Sequence, residues 1–239
     1  MIDGILKQDN SFSAILIKEA LPDWEKYLSH PFLLALADGS LDSQKYRYYM
    51  IQDYLYLGEY GKCFSLGIEC GTDDEFHAVC DHYLNRIRNF ELDVHRGAFD
   101  SLGITQEDLK HSVPSLENLG YTSYMLKECY EGGQEEILTA ILACALSYEY
   151  IAHSIVAKMP SALDHPLYGD WFEQYDSENY AEENVVLCNL LDRLTKSCSE
   201  EKKEHLKEIF HTCSRFEQGF WNGAWSMTDE WGSTDQKDC

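Results

Sequence analysis

Apolar residues along this chain recur at three- and four-residue intervals in almost every window, the spacing of one face of an α-helix. Strict apolar/polar alternation, the mark of a half-buried strand, is nearly absent. The first amphipathic run covers 11–29 and meets Pro22, where a kink or restart is expected. His30-Pro31 closes it, and a short apolar segment follows to a turn at Ala37-Asp38-Gly39-Ser40. Asp42 or Ser43 is placed to cap a long helix reaching about Glu69. Gly71-Thr72-Asp73 breaks the pattern, and a second long helix runs to about Leu102 and stops at Gly103. Thr105-Gln106-Glu107-Asp108 reads as a short capped turn. Further helices are expected near 118–131, 134–158, 167–176, 179–198 and 200–225. With no repeat and no Gly/Ser linker, the expectation is one all-α domain over 1–227 and a loose polar tail over 228–239. The helices are too many and too unequal for a plain four-helix bundle.

Composition narrows the picture. A length of 239 residues, 44% apolar and 13% aromatic, suits one well-filled domain. Only five prolines occur, leaving long stretches free for helix. A net charge of −23 repels phosphate backbones and anionic lipid, and no basic recognition helix is present, so neither nucleic acid nor a membrane surface is an expected partner. The same charge tolerates a cationic small molecule. Nine cysteines, an odd number with no CxxC pair, together with an N-terminus lacking a basic and then apolar signal pattern, point to a reducing, cytoplasmic setting. No uninterrupted apolar window of about 18 residues suggests a membrane span.

In an enzyme built of helices, chemistry must come from polar groups on faces that otherwise point inward. Asp53 shares its face with Tyr49, Met50, Tyr56 and Leu57, an apolar and aromatic stripe. A carboxylate there is costly unless paired, so it is either functional or bonded to a neighbouring Tyr for structural reasons. Cys144 lies in an apolar run with Tyr148 one turn on. Free cysteine is usually a small buried hydrophobe, so the thiol alone says little. Glu217 is flanked by Phe216, Phe220 and Trp221, surroundings that raise a carboxyl's pKa and let it donate a proton near neutrality; alternatively it sits on a polar helix edge. Sixteen tyrosines offer rings and hydroxyls for a flat heteroaromatic ligand. Metal signals are weaker. His77, Cys80 and His82 diverge on a helix, and only Glu208/His211 matches the Glu-x-x-His spacing that a di-iron bundle needs twice. No Gly-rich phosphate loop is present.

Six motifs occur in order: His30-Pro31-Phe32; Tyr48-Tyr49-x-x-Gln52-Asp53-x-x-Tyr56-Leu57; Tyr121-Thr122-Ser123; Cys144-x-x-x-Tyr148; His165-Pro166-x-Tyr168-x-x-Trp171-x-x-x-Tyr175; and Glu217-x-x-Phe220-Trp221. Together they resemble the TenA/thiaminase II family, from about Phe12 to Trp225. The resemblance implies a haem-oxygenase-like helical bundle, often a homotetramer, with no metal or organic cofactor. It implies that Cys144 is the nucleophile and Glu217 the acid/base group. It implies that Asp53 holds the aminopyrimidine, and that Tyr56, Tyr121, Tyr148 and Tyr175 stack on and orient its ring. Cys144 places the chain in the family's Cys-bearing branch. Ala145 and Ser147 stand where bulkier residues are common, which bears on pocket size.

The implied reaction replaces the amine of 4-amino-5-aminomethyl-2-methylpyrimidine, or the thiazolium of thiamine, by hydroxyl. The thiolate adds to the ring carbon next to the substituted one, and ring electrons then expel the leaving group. Water adds to the exposed methylene and the thiolate departs. An acid at the ring nitrogen, the part of Glu217, is worth about 10²–10⁴ in rate. Tyr148 and Glu217 are both candidates for activating the thiol. Two rival expectations stand beside this one: a haem- or di-iron-binding oxygenase using His30, His77 or His211, and a non-catalytic pyrimidine-binding protein.

Overall fold

The computed structural model describes residues 2–7 and 10–227, with only the backbone described for Asp3 and 88–98; the polar tail expected at 228–239 lies outside the described residues. The chain folds as helices α1 (Ile2–Leu6), α2 (Phe12–Tyr27), α3 (Pro31–Asp38), α4 (Ser43–Cys70), α5 (Asp74–Leu102) and α6 (Gln106–His111). There follow α7 (Leu116–Glu131), α8 (Gln134–Lys158), α9 (Gly169–Tyr175), α10 (Glu178–Leu194) and α11 (Glu200–Ser226). Single 3₁₀ turns cover Pro160–Asp164 and Thr195–Ser197, and no strand occurs among the described residues. The all-α expectation holds.

Side-chain caps fix most of the starts. Ser11, Asp42, Asp73, Ser115, Ser177 and Ser199 each accept a backbone N–H of the first turn, which would otherwise lack a partner. Thr105 and Asp108 cap each other reciprocally at α6. Ser115 starts α7 two residues before the expected 118, because its hydroxyl takes the amide of Asn118. The segment after His30 is a true helix, with the His30 ring accepting from the Phe32 amide and Pro31 in the first turn. Gly39, at φ +76°, ends it, and a Cβ there would stand 2.7 Å from the His165 ring, so only glycine fits. Pro22 neither restarts nor ends α2. Leu16, Ala20, Trp24 and Tyr27 bury that helix against the core, and Trp24 Nε1 and Tyr27 Oη bond to Ser214 on α11, which outweighs one missing backbone hydrogen bond. The helix expected to reach 198 ends at Leu194 and tightens into 3₁₀.

α8 runs through the middle, packed by α2, α4, α7, α9, α10 and α11. By length and composition it is the one described helix that could cross a membrane. Thr139, Cys144, Ser147 and Glu149 interrupt its apolar run, and 67% of its most apolar stretch is buried inside the protein, as in a core helix. Glu149 is buried and accepts from the Ile2 amide at 3.0 Å and from Asn184 Nδ2 at 2.8 Å, tying α1 and α10 to α8.

Beside Asp53, Gln52 locks α4 to the start of α7. Its Oε1 accepts from the Ser115 amide at 2.9 Å and Asn118 Nδ2 at 3.0 Å, while its Nε2 donates to the Val113 carbonyl at 3.1 Å. Truncating Gln52 to Ala leaves buried donors at Ser115 and Asn118 without this acceptor. We expect a loss of about 2–3 kcal/mol in urea unfolding, with an unchanged denaturant slope.

Candidate active site

The three-residue step from Asp53 to Tyr56 puts both side chains on the inner face of α4. The four-residue step from Cys144 to Tyr148 does the same on α8, and α9 adds Tyr175. These five residues line one cavity, whose empty volume is about 760 Å³ including its mouth. Its far wall comes from α5 and α10, through Tyr83, Arg86, Tyr180, Glu183 and Asn184.

Glu217 and Tyr121 are drawn to the same place but do not line the cavity. Both are buried, and Tyr121 Oη donates to Glu217 Oε1 at 2.8 Å. The Glu217 carboxyl is in turn within hydrogen-bonding reach of the Cys144 thiol. Tyr121 therefore stands behind the carboxyl, with its ring stacked on Phe216 at 5.6 Å, and not where a bound ring would stack. Tyr56 approaches the Cys144 thiol with its hydroxyl and packs its ring on Tyr121 at 5.1 Å. Tyr148 sets its hydroxyl 3.4 Å from Tyr49 Oη, which accepts from Trp171 Nε1 at 3.0 Å. Its ring lies 4.8 Å from that of Tyr175.

Burial dominates the electrostatics. It pushes the Glu217 carboxyl up to about 7, with the Asp53 charge adding and the bonds from Tyr121 and Cys144 opposing. It pushes the Cys144 thiol well above its ordinary value, with the Glu217 charge adding and the Tyr56 hydroxyl opposing. Cys144 still keeps part of its surface open to the cavity, although protein surrounds it on all sides. Desolvation also holds Tyr56, Tyr121, Tyr148 and Tyr175 protonated. A neutral thiol beside a carboxyl that ionises near neutrality can pass its proton to that carboxyl.

Motif spacing did not reveal the far wall. Tyr180, Glu183, Asn184 and Leu187 share one face of α10 at steps of three and four, a signal of the kind that singled out Asp53. The ion pair of Glu183 with Arg86 joins two helices and has no sequence signature. The histidines named for iron diverge. His30 caps α3 and bonds Asn222, His77 is exposed on α5, and His211 is half exposed beside Asp23. Among the described residues no group of three or more His, Cys, Asp or Glu could hold a metal ion.

The model of the TENA/THI-4/PQQC family matches residues 17–227. An aminopyrimidine aminohydrolase of Helicobacter pylori is 38% identical over 213 residues, 89% of this chain and 98% of that protein. Another, from Halalkalibacterium halodurans, is 38% identical over 216 residues, 90% of this chain and 96% of that protein. Among solved structures, a TenA family transcription regulator from Silicibacter sp. TM1040 superposes with a TM-score of 0.80 at 28% identity, covering 88% of this chain and 95% of that one. A Shewanella denitrificans domain with a heme oxygenase-like fold gives 0.73 at 18% identity, over 95% and 97% of the two chains, and so bears on the fold alone.

The raised Glu217 pKa has a stability consequence. The folded protein holds this proton more tightly than the unfolded chain, so the contribution is fully present below pH 4.5 and is lost as pH rises through about 7. We expect Glu217→Gln to remove a decline of about 3 kcal/mol across that window, read by urea unfolding at a series of pH values.

Proposed function

The chain belongs to the TENA/THI-4/PQQC family, and we propose that its cavity hydrolyses an aminomethyl-pyrimidine to the hydroxymethyl-pyrimidine, as an aminopyrimidine aminohydrolase of thiamine salvage. The observation that carries this is the Cys144 thiol in the cavity wall, bracketed by the Tyr56 hydroxyl and the Glu217 carboxyl, with Asp53 lining the same space. Asp53 accepts from the exocyclic amine, and the touching rings of Tyr148 and Tyr175 orient the pyrimidine from one side. Glu217 takes the thiol proton, and the thiolate adds to the ring carbon beside the substituted one. The proton passes to the ring nitrogen as negative charge develops there. Ring electrons then expel the protonated amine as ammonia, water adds at the methylene and loses a proton to the ammonia, and the ring nitrogen returns its proton to Glu217 as the thiolate leaves. Glu217 is favoured over Tyr148 as the thiol's base because it reaches the sulfur, whereas the Tyr148 hydroxyl is turned to Tyr49. Tyr121 orients Glu217 and does not stack on the substrate.

A homotetramer in the cytoplasm belongs to the same proposal. Exposed Leu34, Val113, Leu116 and Leu119 offer apolar surface for self-association. The cysteines at 63, 70, 80, 129, 144, 188, 198 and 213 are unpaired thiols, as suits a reducing compartment. Light scattering is expected to give four times 27.6 kDa, and a monomer mass would overturn the tetramer.

Purified protein given the aminomethyl-pyrimidine, or thiamine, is expected to release hydroxymethyl-pyrimidine, followed by chromatography with mass detection. Cys144→Ala is expected to abolish turnover, and Glu217→Gln to lower kcat by about 10²–10⁴. The wild-type kcat/KM is expected to rise with pH through a limb near 7 that Glu217→Gln lacks, because only the carboxylate accepts the thiol proton. Product that survives Cys144→Ala removes the thiolate route while keeping the reaction.

A further inference from the structure

The cavity extends beyond the thiol. Along α4 the lining proceeds in single turns of about 5.4 Å, from Asp53 to Tyr56 and on to Tyr60. Cys144 is level with the middle of this series, for its thiol meets the Tyr56 hydroxyl while Tyr60 Oη bonds the Ile141 carbonyl one turn away on α8. Asp53, Tyr148 and Tyr175 form one end. The other end lies past Tyr60, where the Phe64 ring stacks on Tyr83 at 5.5 Å and 7°. There α5 presents Tyr83 and Arg86, one turn apart, and α10 presents Tyr180 and Glu183 with the same spacing. Tyr180 packs edge-on against Tyr175 at 5.1 Å and shares its face of α10 with Glu183, so it reaches from the Tyr175 end to the Arg86–Glu183 pair.

With the pyrimidine held by Asp53 and its reacting carbon at Cys144, the departing group points into this second end. Ammonia would leave most of it empty. The chemistry of the walls describes a larger group. Two phenol rings, Tyr60 and Tyr180, flank the space nearest the thiol and suit a flat cationic ring. Farther out, the Tyr83 hydroxyl is buried with no hydrogen-bond partner among the described residues, an unmet bond that an incoming oxygen would satisfy. Arg86 adjoins it and is paired with Glu183, whose Oε1 also accepts from Asn179 Nδ2 at 3.1 Å.

We propose that Tyr83 and Arg86 are specificity-determining residues that receive an oxygen acceptor carried on the leaving group, with Tyr60 and Tyr180 flanking that group's ring. Glu183 is a positioning residue that holds the guanidinium toward the cavity. This rests on the hydrolase function proposed above and adds which leaving groups the site favours.

The test compares three substrates: the aminomethyl-pyrimidine, thiamine, and a thiamine analogue with ethyl in place of hydroxyethyl. Wild type, Tyr83→Phe and Arg86→Gln are assayed for kcat/KM with each. The ratio of thiamine to aminomethyl-pyrimidine kcat/KM is expected to fall about three- to tenfold in Tyr83→Phe and about ten- to a hundredfold in Arg86→Gln, chiefly through KM. The ethyl analogue, lacking the oxygen, is expected to ignore both changes. Equal proportional losses on all three substrates overturn the proposal, as does an unmoved ratio. Should Arg86→Gln fail to fold, Tyr83→Phe removes one oxygen atom and carries the test alone. If wild type converts only the aminomethyl compound, the inhibition constant of thiamine is read instead, with the same expected loss. Absence of product from both compounds defeats the hydrolase function itself, and calorimetric affinity for thiamine in wild type and Tyr83→Phe then decides the subsite separately.

Discussion

The structure depends on the burial of α8. A helix covered on nearly every side cannot leave a polar group to water, so each one it carries must be met by a neighbour. Glu149 is met by the amide of Ile2 and by Asn184, and Ser147 by its own backbone. Cys144 is met by Tyr56 from α4 and Glu217 from α11. The helices that surround α8 to bury its leucines and isoleucines are thus the same ones that deliver the site. Packing and chemistry share one scaffold.

That scaffold also sets the charge states. In the cavity and behind it, desolvation raises every phenol, the thiol and one carboxyl. The tyrosines therefore act as neutral donors and rings. Glu217 stays poised because two donors, Tyr121 and Cys144, partly offset the cost of burying its charge, while Asp53 adds to that cost. The site thus holds two carboxyl groups in different settings, Asp53 in the cavity wall and Glu217 behind it among Tyr121 and Cys144. Tyr121 stands behind the cavity wall, bonded to Glu217 and packed against Tyr56, so it supports two groups of the site at once.

The polar network next to the site does mechanical work of a similar kind. Gln52, adjacent to Asp53 in sequence, faces away from the cavity and bonds the start of α7. The rotation of α4 that aims Asp53 inward is held by its neighbour's amide on the other side. A motif that joins Gln52 and Asp53 thus contains one structural residue and one cavity residue, distinguishable only by which way each points.

The sequence by itself determined the helical class, nearly all the helix starts and the inward-facing polar residues. These follow from local physics: the three-to-four-residue period, side-chain caps such as Asp42 and Ser199, and the helix stops at Gly39 and Gly103. Asp53, Cys144 and Glu217 stood out because each breaks an apolar stripe, and family motifs then ordered them. Tertiary structure alone decided that α2 continues through Pro22, that α8 is a core helix, and that Tyr121 backs Glu217. It also decided that Arg86 meets Glu183 in the far wall of the cavity. Each of those outcomes turns on a contact between residues far apart in the chain. No period within one helix encodes which neighbour it will lie against, since many neighbours can satisfy the same apolar face.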